Sequence, residues 1–396
     1  MKQHILTTML VLALTANVSA QYKPHTTQAT KAYNIDVLPD ISYGMGEFSD
    51  GLVVIQDTKS KHCAVFNDKG EAQVHFGIPL VTSMRGLPKF NHGVIPAVIN
   101  SNGRNAYLIL NGKGEKVAQL SNLRAMGKNF VDGMLTAFKA VPVSKTRSNV
   151  VLRYYDPTGK EIYPNLWQNV TGTYGVLQDA RPFRDNLSCY FDYKTKRYGY
   201  FNRQGKIVIP ARYVKAHDFS EGKAVVSPDG TSWIYINTAG QQCIGTTFTV
   251  GEPGDFHEGL AIVQKRDGNR NACCYMNERG EIVAGPLYSA NRFLNGFAWV
   301  TVLNNGTHDY VINKNFKTVR ALQRLSPHKE LIYDNTDNTV HVGTDIHNAD
   351  GTLLFTNNRV IVKDFSGGLA PFKDGNSCGY LNKKGEVIFM FRLSSF

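Results

Sequence analysis

Nine times in this chain an Asn or Asp is followed, three residues on, by a Gly or a single substitute, each time just after a short apolar run. The copies start at Asn67, Asn111, Asp156, Asn202, Asn237, Asn277, Asn313, Asn348 and Asn382. Eight end in glycine, at Gly70, Gly114, Gly159, Gly205, Gly240, Gly280, Gly351 and Gly385, and one ends in Phe316. The first six glycines are 44, 45, 46, 35 and 40 residues apart. Self-similarity at a period of a few tens of residues marks a repeat architecture, so the fold must be built from the unit.

A second marker runs in step with the first: a Phe, two variable residues, a Gly, then an apolar strand. It occurs at Phe48 to Gly51, Phe90 to Gly93, Phe130 to Gly133, Phe219 to Gly222, Phe256 to Gly259, Phe293 to Gly296 and Phe365 to Gly368, with Phe183 and Asn186 as a worn copy. Phe293 and Phe365 are 72 residues apart, close to twice the preceding step of 37, which leaves room for a degenerate copy around Tyr333. The copies around the first three turns and the eighth are the least regular, so their boundaries are the least defined.

The unit is cleanest from Arg197 to Val226. Asn at the first position of a type I turn can bond the turn's backbone, and Gly at the fourth takes positive φ cheaply. Such a turn joins two antiparallel strands with a bulge, here Tyr198 to Phe201 and Lys206 to Ile209. Pro210 is expected to end the second strand by removing a donor. A third strand follows each Phe-x-x-Gly corner, as at Leu52 to Ile55, Ala224 to Val226, Leu260 to Val263 and Leu369 to Phe372. No segment keeps a helical period, so helices should be minor.

Tyr200, Tyr235, Tyr275 and Tyr380 stand two residues before their turn Asn, and the residues between, such as Phe201, Ile236, Met276 and Leu381, are apolar as well. A strand dry on both faces lies between stacked sheets. The expected fold is therefore all-β, about nine antiparallel meander units arranged as in a β-propeller, with an open β-solenoid or superhelical array as the alternative. Burying one anchor aromatic removes about 150 to 250 Å² from water, roughly 4 to 6 kcal/mol gross. A bulky residue at positive φ is disfavoured by roughly 1 to 2 kcal/mol, so the Phe316 turn is expected to take another type.

Residues 1 to 20 read as an export signal: Lys2, an apolar stretch from Ile5 to Leu14, and Val18-Ser19-Ala20 as a small-residue cleavage site. Residues 21 to 44 form a lead-in and 45 to 396 the repeat domain. No Cys follows the apolar stretch, which argues against a lipoprotein, and no later run suits a transmembrane segment. The expected address is periplasmic, or extracellular at the cell surface. Removing Lys2 with the leader leaves 43 basic and 32 acidic residues, a surplus of 11 that favours anionic surroundings. The densest basic run, Lys194-Thr195-Lys196-Arg197, reads as a solvated hairpin whose lysines discourage edge pairing. No basic stripe interleaved with aromatics suggests nucleic acid.

Three of the six cysteines, Cys63, Cys273 and Cys378, lie four residues before a turn Asn, where other units carry Tyr107, Tyr198 or Trp233. They read as small core residues. Cys273 and Cys274 are neighbours and unsuited to a mutual bridge; one bridge involving Cys189 or Cys243 is compatible with the pattern.

The segments Arg197 to Pro210, Phe219 to Val226 and Asp364 to Val387 resemble the WG repeat family, also called KWG repeats. Its unit reads roughly as aromatic-x-Glu-Gly-Leu-Ala-x-Val, a variable loop, then Trp/Tyr-Gly-Tyr-Ile-Asp/Asn-x-x-Gly-Lys-x-Val-Ile-x-Pro. The likeness is best in Phe256 to Val263, Tyr198 to Asn202 and Cys378 to Asn382, and extends over about residues 45 to 396. The first three units and the eighth lack the Tyr-Gly dipeptide. The resemblance implies a bacterial β-repeat scaffold, often exported, and supplies no catalytic residues.

Chemistry-bearing motifs are scarce. The chain has no P-loop, HExxH helix, GxSxG elbow or complete calcium loop, so no catalytic, cofactor-binding or metal residue is assigned. Asp334-Asn335-Thr336-Asp337-Asn338 offers oxygen ligands of the kind a cation takes, but such stretches are ordinarily turns. His62, His92, His257 and His308 occupy different registers and form no cluster. Trp167 and Trp299 are the candidates for stacking a sugar ring, though Trp299 fits a regular core position. The function expected is a non-enzymatic scaffold that binds a protein or glycan partner through its loops. The alternatives are a glycan-active enzyme, whose two loop carboxylates would face each other across a pocket at about 5 to 10 Å, and a structural part of a surface assembly.

Overall fold

The computed structural model describes residues 25–27, 30–35, 44–57, 60–80, 86–101, 104–170, 177–303, 307–322, 331–334, 339–342, 345–356, 360–361, 364–375 and 377–393. The export signal at 1 to 20 lies outside them. The described chain forms nine small sheets, one per unit, each built on an antiparallel meander. The helical element among these residues is the 3-10 turn Pro164–Leu166.

Each complete unit runs from a short inner strand through a tight turn to a first strand, then through a hairpin to a middle strand. The Asn-x-x-Gly turn follows, and an outer strand ends the unit. In the seventh these are Ser289–Ala290, Phe297–Leu303, Thr307–Asn313 and Thr318–Leu322. The degenerate copy around Tyr333 is a full four-stranded sheet, Leu331–Asp334, Thr339–Val342, Asp345–Asn348 and Leu353–Thr356.

The Asn-x-x-Gly turn closes as the sequence requires. Gly205 N–H donates to the Asn202 carbonyl at 2.8 Å, and Asn202 N–H to Lys206 O at 3.0 Å. The Asn202 carboxamide oxygen takes the N–H groups of Gln204 and Lys206, while Gly205 has φ of 72°. Phe316 overturns the expectation of a different turn. It sits at φ 59° in the same geometry, its N–H donating to Asn313 O at 2.8 Å. Its ring packs 5.8 Å from Tyr275 and 6.0 Å from Phe293. Those contacts, with the Asn313 bonds to Asn315 and Lys317, offset the left-handed cost of about 1 to 2 kcal/mol.

Pro210 does not end its strand. The outer strand runs through it as Ile207–Tyr213, and the register shifts between Tyr198↔Tyr213 and Tyr200↔Ile209. An outer strand has a free edge, so the missing N–H costs no ladder bond and the bulge absorbs the kink.

The Phe-x-x-Gly corner is a two-residue turn of primed type. Ser220 and Lys223 exchange backbone bonds of 2.8 and 3.1 Å around Glu221 (φ 52°) and Gly222 (φ 75°). Two consecutive left-handed residues match the twist of the flanking strands. All eight marker phenylalanines are buried.

The interior is divided among the interfaces between units. Tyr200, Tyr235, Tyr275 and Tyr380 are at most 1% exposed, and Tyr200 meets Phe219 edge-on at 4.8 Å. Nine apolar clusters of described residues serve the nine units. Eight lie between consecutive units, and the ninth joins Phe48, Val53 and Phe66 of the first unit to Tyr380, Phe389 and Phe391 of the last. Phe66 stacks on Phe389 at 5.5 Å. The ends of the array therefore meet, as in a propeller, whereas a solenoid or superhelix would hold them apart. Among the described residues no strand is shared by the first and last sheets, so the meeting rests on side-chain packing and on side-chain hydrogen bonds such as that from the Ser366 hydroxyl to Phe48 O at 2.6 Å. In the lead-in, Thr30–Ile35 adds to the outer edge of the last sheet, parallel to Val387–Leu393.

Candidate binding site

Uniform strand order gives the array two faces. One carries the primed turns and the Asn-x-x-Gly turns; the other carries the hairpins between first and middle strands. Contacts between the two turn families confirm that they share a face: Asp68 N–H donates to Gly51 O at 3.1 Å, and Lys223 pairs with Glu278 at 2.7 Å.

On the turn face an acid two residues after the marker Phe reaches the next turn along the chain in five copies, and in the second copy Asn91 accepts from Gly133 N–H at 3.0 Å instead. Asp50 accepts from Gly93 N–H at 2.9 Å, Asp132 from Phe183 N–H at 2.7 Å and Asp185 from Gly222 N–H at 2.7 Å. Glu221 accepts from the N–H groups of Glu258 and Gly259, and Glu258 from Gly296 N–H. These acids hold neighbouring units together through otherwise unbonded turn amides.

Just behind this row, the residues one and two before each marker Phe form a polar belt. Lys89 pairs with Glu47, Lys89 N–H donates to Asn129 Oδ1 at 2.9 Å, and Arg181 Nε lies 2.8 Å from Asp218 Oδ1. Although that oxygen lacks an ideally angled donor, the 2.8 Å separation of opposite charges makes it an ion pair. Burial raises the Asp218 carboxyl above its usual range, against the pull of Arg181.

His217 is the most constrained member. Nδ1 lies 2.8 Å from Asp255 Oδ1 and Nε2 lies 2.5 Å from Glu252 Oε1, with the Trp233 ring edge-on at 5.8 Å. Burial alone would lower the imidazole's pKa, but the hydrogen bonds and charges of Asp255 and Glu252 outweigh it and raise it. Both ring nitrogens then donate, as an imidazolium does. Next in the belt, Arg292 Nη1 lies 3.3 Å from His257 Nε2, and burial with the Arg292 charge lowers the His257 pKa.

A cavity of about 30 Å³ between the third and fourth units is lined by Thr136, Asp179, Arg181, Ser188 and Tyr190 among others. It has room for about one water. Asp179 is the carboxylate in that lining, and its Oδ1 accepts from Lys128 N–H at 2.8 Å.

The residues singled out from the sequence are dispersed. Trp299 is buried, its Nε1 donating to Ala349 O at 2.9 Å. Trp167 is 39% exposed, but Arg153 lies 4.0 Å over its ring. His62 bonds Ser60, His92 bonds Asn91, and His308 lies by Tyr310. Residues 335 to 338 of the acidic stretch lie outside the described residues. All six cysteines are free. Cys63 and Cys378 are buried as expected, whereas Cys273 is only half-buried; burial pushes the Cys189 and Cys378 thiols up to about 12. Among the described residues no group of His, Cys, Asp and Glu could hold a metal, and no helix is long and apolar enough to cross a membrane.

Sequence reasoning missed the belt and the His217 clamp. The signal was present in the column before each marker Phe, where Glu47 faces Lys89 and Arg181 faces Asp218 in successive copies.

Several solved structures are similar in fold. A eukaryotic initiation factor structure superposes with a TM-score of 0.56 at 10% identity, over 86% of this chain and 96% of that chain. BamB from Moraxella catarrhalis gives 0.32 at 11% identity, over 84% and 94%. TolB from Acinetobacter baumannii gives 0.27 at 14% identity, over 60% and 63%. No curated protein matches the sequence. Residues 198–230 match the family model of the WG containing repeat. They take in the Tyr-Gly-Tyr middle strand, the bulged outer strand, the His217 inner strand and the Glu221-Gly222 turn. Residues 198–230 thus carry the WG containing repeat.

Proposed function

We propose that this protein is an exported, non-catalytic repeat scaffold that binds a protein or glycan partner through the loops of its array. The observation that carries the reading is how the polar groups of the belt are used. His217 is held between Asp255 and Glu252, Arg181 against Asp218 and Lys89 against Glu47, each pair joining two units. Groups committed to neighbours of fixed geometry build a rigid frame and are not presented to a reacting atom. A glycosidase needs two carboxyl groups facing each other across a substrate-sized space; the cavity beside Asp179 offers one carboxylate and room for a water.

Export rests on the leader-like residues 1 to 20, and is tested by sequencing the N-terminus of the protein recovered from outside the cytoplasm, which should begin at Gln21. Binding is tested with the immobilised mature chain against a glycan array and against envelope extract after cross-linking. A specific ligand whose binding survives Asp218→Asn and Glu252→Gln supports the scaffold. Turnover of a glycan that either substitution abolishes would overturn it.

A further inference from the structure

We propose that Trp167 and the end of the third sheet beside it form a subsite for a uronic-acid residue of an acidic glycan, which rests on the scaffold reading above and gives it a ligand class and a place. Trp233 and Trp299 are 4% and 1% exposed, whereas Trp167 is 39% exposed. It belongs to a segment longer than its counterpart in the fourth unit. In the third sheet Ile162 pairs with Tyr154 and Gln168 with Leu152, which leaves residues 163 to 167 opposite Arg153 alone. In the fourth, residues 210 to 212 lie opposite Gly199. The longer segment is pinned. Leu166 is buried in the apolar cluster that includes Phe201 of the fourth unit, Trp167 N–H donates to Pro164 O at 3.2 Å, and the indole N–H donates to Ile162 O at 3.2 Å. The ring is held before any ligand arrives, so little side-chain entropy is lost on binding.

Arg153 takes one face of that ring, its guanidinium carbon 4.0 Å from the centroid and its side chain 12% exposed. The exposed part of the indole is thus the opposite face and its rim. A ligand cation gains little there, because the Arg153 charge already sits on the ring and repels it. Side chains alternate along strands, so Lys139, Asn149, Arg153 and Asn169 share one face of the third sheet. The inner part of this face, Leu135, Ala137 and Tyr155, is buried against the second unit, and the face emerges from Arg153 outward. Asn149 and Asn169 are exposed there and offer carboxamides beside the ring. A protein hot spot fills a desolvated apolar pocket; here the ring stands on an open face among amides and an ammonium. A pyranose suits it, with an apolar C–H face for the indole and hydroxyls at its rim for the amides. Charge narrows the class further. Lys139 and Arg153 both pair with Glu161, Arg153 at 3.5 Å, and the Tyr155 hydroxyl donates to the same carboxylate at 3.3 Å. Two bases share one acid, so the cluster keeps a positive charge that a sugar carboxylate neutralises.

The test is titration of the mature chain, followed by calorimetry and tryptophan fluorescence, with oligomers of galacturonate, glucuronate and mannuronate and with the neutral galactose, glucose and mannose oligomers of the same length. At least one uronate oligomer should bind and change the fluorescence, and its neutral counterpart should bind roughly tenfold more weakly. Trp167→Ala should weaken uronate binding on the order of thirtyfold, and Trp167→Phe by less. Lys139→Gln should weaken binding of the uronate and leave that of the neutral oligomer unchanged. Tyr288→Ser, which removes an exposed aromatic of another unit, should change neither. An unchanged melting temperature in Trp167→Ala keeps loss of binding apart from loss of fold. Uronate binding that Trp167→Ala leaves intact would overturn the site while leaving the scaffold reading in place. Failure of every uronate oligomer to bind would also overturn it, and capture of an envelope protein by the same chain would then leave the scaffold reading standing. Cleavage of an oligomer by the parent would overturn the scaffold reading itself.

Discussion

The Tyr380 hydroxyl donates to the Gly46 carbonyl at 2.8 Å, although 334 residues separate them. Tyr200 does the same to His217 at 2.7 Å, Tyr235 to Gly254 at 2.7 Å and Tyr275 to Asn291 at 2.6 Å, each within 19 residues or fewer. In every case the acceptor stands two residues before a marker Phe. The bond that links one unit to the next also links the last to the first.

Tyr380→Phe tests that equivalence. Removing the hydroxyl leaves a buried carbonyl without this donor, at a cost of about 1 to 3 kcal/mol. Tyr200→Phe should cost a similar amount in urea titrations of the mature chain. A Tyr380 variant that unfolds like the parent would mean that the contact between the ends adds nothing in solution.

Phe219→Ala should cost about 3 to 5 kcal/mol, because the ring is 1% exposed and fills the interface against Tyr200. With units packed on both sides and the array's ends in contact, the loss should lower one cooperative transition. Calorimetry showing an unchanged midpoint would remove Phe219 from the core.

At Phe316 two terms can be separated. Phe316→Ala loses the ring and keeps the backbone cost, whereas Phe316→Gly loses the ring and relieves it. The glycine variant should therefore be the more stable of the two by about 1 kcal/mol, and both less stable than the parent. Equal stability of the two variants would show that the left-handed residue carries little strain.

The His217 clamp makes stability depend on pH. Because its folded pKa is raised above 6.5, the contribution is complete below the unfolded value and is lost as pH rises through the folded one. Melting temperatures measured from pH 6 upward should fall through that window in the parent, and His217→Gln should flatten this part of the profile. An unchanged profile in the variant would assign the pH dependence to other groups.

How much of this was legible in the sequence depends on the range of the interaction. The turns were, because Asn202 bonds atoms two and four residues away and Gly205 need only tolerate its own backbone angle. The dry faces of the middle strands were legible too, since alternation along a strand is local. Phe316 was misread because its turn is held partly by Tyr275 of the unit before and by Phe293, which comes from the far end of its own unit. Pro210 was misread because its effect depends on whether the strand edge is free.

What the sequence determined by itself was the unit: its strands, its two turns and its anchor aromatics. Those follow from backbone preferences and apolar patterning within a few tens of residues. Only the tertiary structure decided that Phe66 stacks on Phe389, that the belt pairs His217 with Asp255, and that the Tyr380 hydroxyl meets the Gly46 carbonyl. Each of these depends on the angle between successive units. That angle is fixed by how whole side-chain surfaces pack across an interface, and no single repeat contains it.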